Sequence, residues 1–136
     1  MFHNPQQAYE SASKVSSSNR ELESTALFKA ARLLETCRRG WEAPERTARM
    51  FEALRYNQRL WSLFQDELVR PDHEMIPALR ANLLRLSLFV DKRTIEIMAD
   101  PEPAKLQVLI DINRHLAEGL TPGPAGSQVP ARPVRD

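Results

Sequence analysis

At 136 residues and 15.6 kDa the chain has room for a single hydrophobic core, which excludes a multidomain assembly. Its composition, 42% apolar and 27% charged, is that of a globular chain rather than a disordered or fibrous one. A formal net charge of +1 excludes a global field that would draw it onto nucleic acid or an acidic membrane, and the lone Cys37 excludes an internal disulfide framework.

The apolar residues recur at steps of three and four, with no strand-like alternation, which predicts an all-α protein. Residues 1–18 are rich in Ser and Gln, and Asn4-Pro5 can open a short helix carrying Ala8, Tyr9 and Ala12. Ser18-Asn19-Arg20-Glu21 has the form of a capping box, so a first long helix is expected from there to about Arg39. Leu22, Ala26, Ala30, Leu33 and Cys37 line its apolar face, and Arg38-Arg39-Gly40 suits its end, with Gly40 available for a left-handed stop.

Ala43-Pro44-Glu45 opens a second helix that stops before Pro71. Met50, Leu54, Asn57, Trp61, Phe64 and Leu68 form one stripe on it, and Asn57 is the only amide in an otherwise apolar set. A third helix begins near Pro77 and reaches Met98 or Ala99. Leu79, Leu83, Leu86, Val90 and Ile97 lie on one side, and Leu84, Leu88 and Ile95 continue round to another. Two apolar flanks predict a central helix packed on both neighbours. After Asp100-Pro101-Glu102-Pro103 a last helix, about 104–118, turns Leu109 or Ile110, Asn113, Leu116 and Ala117 inward. Short connections favour antiparallel neighbours. The expected architecture is therefore an antiparallel bundle of about four long helices over residues 19–120, with a disordered Pro- and Gly-rich tail at 121–136. Leu54, Trp61, Phe64, Leu83, Leu86, Val90, Leu109 and Ile110 are its expected core.

The start of the chain lacks the basic and apolar regions of a secretory signal, and the apolar run at 83–90 is interrupted by Arg85 and too short to span a bilayer. The expected location is the cytoplasm, away from membranes. Residue types for catalysis are scattered. His3, His73 and His115 fall in three segments without ligand spacing to a Cys or carboxylate, and Asp111 with His115 reads as a solvated pair. Cys37 sits on an apolar stripe near a helix C-terminus, where the dipole disfavours the thiolate. No glycine lies between 41 and 118 to cradle a phosphate. The expectation is a non-enzymatic protein with no cofactor and no metal. Residues 29–59 carry eight Lys or Arg against four Glu, with Tyr56 and Trp61 as aromatic neighbours; an RNA contact there is the alternative to a solvated helical face.

Three motifs, ALRYNQRLWS at 53–62, LRLSLFVDKRT at 84–94 and LIDINRHLAEGL at 109–120, resemble in order and spacing the FlaF family of flagellar biosynthesis regulators. The likeness runs over about residues 5 to 120; Tyr56 stands where the family pattern favours Trp and keeps the aromatic. The resemblance implies a small helical cytoplasmic protein that promotes flagellin synthesis and export. It implies flagellin as the partner, bound through its terminal helical segments in the manner of an export chaperone, beside a second regulator of the FlbT type. The alternatives are a post-transcriptional regulator contacting flagellin mRNA and a helical adaptor for that second regulator. Phe89, flanked by Arg85 and Lys92 on the polar side of the third helix, and Tyr56 are the candidate partner contacts. Asn57 and Asn113, each followed closely by an Arg (Arg59, Arg114), are the candidate polar node, hydrogen-bonded to backbone or to each other and fixing helix register.

Overall fold

The computed structural model describes residues 5–72 and 74–120, with side chains from residue 19 onward. Four helices follow one another: α1 Pro5–Arg39, α2 Arg46–Leu68, α3 Pro77–Ala99 and α4 Pro103–Leu120. No strand occurs among the described residues, so the chain is the small all-α bundle its periodicity predicts. Prolines stand at the first positions of α1, α3 and α4, where a missing amide hydrogen costs no intrahelical bond.

Each helix packs on the next and α4 closes back on α1, so that α1 and α3, like α2 and α4, face each other across the diagonals. Neighbours run antiparallel. Cys37 of α1 meets the Arg46 carbonyl at one end of the α1/α2 pair, and Glu23 meets Glu67 at the other. Gln65 of α2 reaches Ser87 and Asp91 of α3, and Ser24 Oγ of α1 donates to the Ala117 carbonyl of α4 at 2.9 Å. The closest pairing is α1 on α4. The small residues Ser24, Ala30 and Ala31 of α1 and Ala117 of α4 are all buried, and the Ser24–Ala117 bond joins the two helices directly. Between them Leu27, Leu34, Leu106, Leu109 and Ile110 exclude water completely.

Three expectations need correction. The first helix does not begin at Ser18: α1 is continuous from Pro5, so residues 18–21 are interior helix and no capping box forms. Its end does not need a left-handed glycine either. The Gly40 amide simply donates to the Thr36 carbonyl at 3.0 Å, and a turn from Gly40 to Ala43 leads towards α2.

The third correction concerns α3, which is not the central helix. Its buried line is Ser87, Val90, Thr94 and Ile97, of which two are hydroxyl residues. The second flank faces solvent: Leu88 and Ile95 are 64% and 65% exposed, and Leu79 and Met98 are also open. A four-membered ring buries one stripe per helix, and α3 carries more apolar surface than one stripe can hide. Its seam with α2 is partly polar, with Gln65 Nε2 donating to Ser87 Oγ at 3.0 Å and Asp91 Oδ2 at 2.9 Å. The helix that touches most of the core is α1 instead. Of the expected core, Leu54, Trp61, Val90, Leu109 and Ile110 are buried, whereas Phe64, Leu83 and Leu86 are half-buried. Leu22, placed on the apolar face of α1 by its spacing, is exposed.

Candidate functional site

The centre of the bundle is polar. Asn57 of α2 and Asn113 of α4 have no solvent exposure, and Asn113 Nδ2 donates to Asn57 Oδ1 at 2.7 Å. The Trp61 indole Nε1–H then donates to Asn113 Oδ1 at 2.9 Å. The helical step explains the set. Asn57 and Trp61 are four apart on one face of α2, so both project across the diagonal to the same residue of α4. Asn113 uses both ends of its amide, while Asn57 Nδ2 is buried without a hydrogen-bond partner. The chain thus joins α2 and α4, two non-adjacent helices, through one three-residue bridge. Edge-on contact with Phe64, ring centroids 5.5 Å apart and planes at 84°, holds the indole from the other side.

Arg59 and Arg114 are not part of this node; both are exposed and point away from it. Trp61, expected only as core, completes the bridge instead. The signal was present in the sequence, since an indole N–H placed on a buried stripe one turn from an amide requires an acceptor. The remaining buried hydroxyls were not legible as a set. Thr94 Oγ1 and Ser87 Oγ satisfy themselves on the Val90 and Leu84 carbonyls of their own helix, both at 2.7 Å.

The four candidate contact residues divide between two faces. Phe89, Arg85 and Lys92 share the outer side of α3, all exposed. The Arg93 guanidinium lies 5.5 Å from the Phe89 ring and 3.4 Å from the Glu96 carboxylate, and Arg85 Nη1 donates to Asn82 Oδ1. Tyr56 lies elsewhere, half-buried on the α1 side of α2 with the Lys29 ammonium 5.0 Å from its ring centroid. It does not meet Phe89.

Leu84, Leu88 and Ile95, which spacing had assigned to a second buried flank of α3, instead lie towards its surface. Leu84, half-buried, is followed by exposed Leu88, Ile95 and Met98 at steps of four, seven and three. With half-buried Asp91, which accepts from Gln65 of α2, these positions follow the 4-3-4-3 steps of a helix–helix seam, whose apolar run is interrupted by that one acid. At about 100° per residue, Arg85 and Lys92 fall between this seam and Phe89.

Among the described residues no group of three His, Cys, Asp or Glu side chains could hold a metal ion. His3 and His73 lie outside the described residues. Asp111 accepts from Gln107 Nε2 at 3.0 Å rather than engaging His115, which is exposed. Burial pushes the Cys37 thiol above its ordinary range, against the smaller opposing effect of Arg46 and Arg49. No described helix is long and apolar enough to cross a membrane.

The basic stretch at 29–59 is partly engaged internally. Arg38 and Arg39 both grip Glu35 at 2.7 Å, holding its carboxyl down to about 2, and Arg46 stacks over Trp41 at 4.3 Å.

Ring order and a diagonal amide–indole bridge define a small all-α four-helix bundle. The chain belongs to the FlaF family: the family model described as flagellar protein FlaF matches residues 5–120, from the first residue of α1 to the last of α4. It is a flagellar protein. No curated protein and no solved structure matches it.

Proposed function

We propose that this flagellar protein is a non-enzymatic, cytoplasmic export chaperone that binds the terminal helical segments of flagellin and so promotes flagellin synthesis and secretion. The observation that carries the reading is the α3 seam of Leu84, Leu88, Ile95 and Met98, open to solvent over most of its length. Segments that pack only in a filament carry apolar faces that aggregate when left uncovered. An amphipathic helix laid along α3 would place its own apolar residues between those of the seam, as knobs between knobs. Arg85 and Lys92 on the rim then meet acidic residues beside the partner's apolar face, which sets orientation more than affinity.

Co-elution of the purified full chain with its cognate flagellin tests this. The expected result is a complex that survives added salt and is lost in a folded Leu88→Glu/Ile95→Glu variant. A complex only with RNA, weakening steeply with salt, would assign the protein to mRNA regulation. Binding solely to an FlbT-type regulator would make it an adaptor.

A further inference from the structure

A second surface of the bundle has the shape and charge of a docking site, on the flank of α2 opposite α3. Leu22 of α1 and Leu63 of α2, 66% and 63% exposed, stand on either side of a cleft of about 370 Å³ with Phe64 at its inner edge. Three carboxylates line it: Glu23, Asp66 and Glu67. None of the three enters an ion pair among the described residues. Arg70, the cation on the same rim, turns to Asp72 at 3.4 Å. Glu23 and Glu67 line the same cleft, where burial and then the Glu67 charge raise the Glu23 carboxyl, with Arg20 acting the opposite way.

Two carboxylates held together beside an apolar wall repel in their charged forms, and a cation seated between them relieves that repulsion. We propose that the α1/α2 cleft binds a cationic amphipathic helix of a partner protein, a leucine-type side chain entering between Leu22 and Leu63 and an adjacent Lys or Arg lying between Glu23 and Glu67. The site is independent of the α3 seam, since it lies between α1 and α2 and shares no lining residue with α3. The proposal stands whether or not the α3 seam receives flagellin.

The test uses a synthetic Leu/Lys amphipathic peptide of about 18 residues, long enough to hold helix, titrated into the isotope-labelled full chain. A version with Lys replaced by Glu is the control. The Lys peptide is expected to move the amide signals of residues 22–26 and 60–67, and the Glu peptide is not. A Glu23→Gln/Glu67→Gln variant should bind the Lys peptide at least about tenfold more weakly, as for a charge pair stripped of one partner. Leu63→Ser should weaken both the affinity and the same shifts. Shifts confined to residues 84–98, unchanged affinity in the double variant, or no binding would each overturn the proposal. Two further results would overturn it by assigning another occupant. One is self-association of the chain abolished by Glu23→Gln/Glu67→Gln, which gives the cleft to a second copy. The other is movement of the same amides on deleting residues 121–136, which gives it to the chain's own C-terminal segment.

Discussion

Replacing Asn113 by Leu should cost far more stability than replacing Asn57 by Leu, although both are fully buried amides of the same bridge. Asn113 serves two partners. Its loss leaves the Trp61 indole N–H and the Asn57 carbonyl oxygen buried without partners. At about 1–3 kcal/mol for each orphan the penalty is about 2–6 kcal/mol. Burial of the leucine side chain returns about 1.5–3 kcal/mol, leaving a net loss centred near 2 kcal/mol. Asn57→Leu orphans one group, Asn113 Nδ2, but also removes one that is already unsatisfied, Asn57 Nδ2. Those two changes cancel, and burial of the leucine side chain again returns about 1.5–3 kcal/mol, so Asn57→Leu is expected to be neutral to stabilising. The double Leu variant leaves only the indole N–H unpaired and should be more stable than Asn113→Leu alone, a coupling that a double-mutant cycle isolates. Urea denaturation of the four proteins, followed by circular dichroism, measures all of this. If Asn113→Leu proved no more destabilising than Asn57→Leu, or the double variant were the least stable, the bridge would not be the polar node we describe.

Other expectations concern charge, thiol chemistry and packing. The Arg38 fork and the single Arg39 Nε bond depress the Glu35 carboxyl to about 2, so its contribution is present above the ordinary value of 4.5 and is lost as pH falls through about 2. Glu35→Gln should therefore cost about 0.5–1 kcal/mol at neutral pH, as for two exposed ion pairs, with the cost fading in urea melts as pH approaches 2. Glu23 carries the opposite sign. Burial, then the Glu67 charge, raise its carboxyl, so the free protein loses stability as pH rises from the ordinary carboxylate range through the raised value. Glu23→Gln should raise the melting temperature at pH 7 and leave it unchanged below about pH 4, where the carboxyl is protonated folded and unfolded. Cys37, 1% exposed with a raised thiol, should react with a disulfide reagent only through opening of the bundle. Fast labelling of the native protein would contradict its packing. Ala31→Leu, at a fully buried position of α1, should destabilise by about 1–3 kcal/mol through overpacking; a neutral result would mean that α1 is not close-packed there.

Much of this was legible from residue spacing, and what was missed has particular causes. The stripe that includes Leu54, Asn57 and Trp61 and the inward set of Leu109, Ile110 and Asn113 are each a single face at helical period, so their burial follows directly from sequence. The rank order of the helices did not. Ala30 and Ala31 carry little hydrophobic weight, yet both are fully buried on α1, the helix with the most extensive pairing. Leu88 and Ile95 carry much, and their apolar character reads identically whether a neighbour covers them or not. Periodicity states which residues prefer to leave water; it does not state whether a neighbour is supplied within the chain. The Ser18 capping pattern failed because α1 simply continues through it from Pro5. The candidate contacts split for a related reason: Tyr56 and Phe89 are both off the main stripes of their helices, and only the ring order reveals that they occupy different flanks.

The most direct test is size-exclusion co-elution of the full chain with flagellin, set beside the Leu88→Glu/Ile95→Glu variant whose folding is checked by circular dichroism. The account predicts a salt-resistant complex with the native chain and none with the variant. Absence of a complex with the folded native chain, or an undiminished complex with the variant, would contradict it.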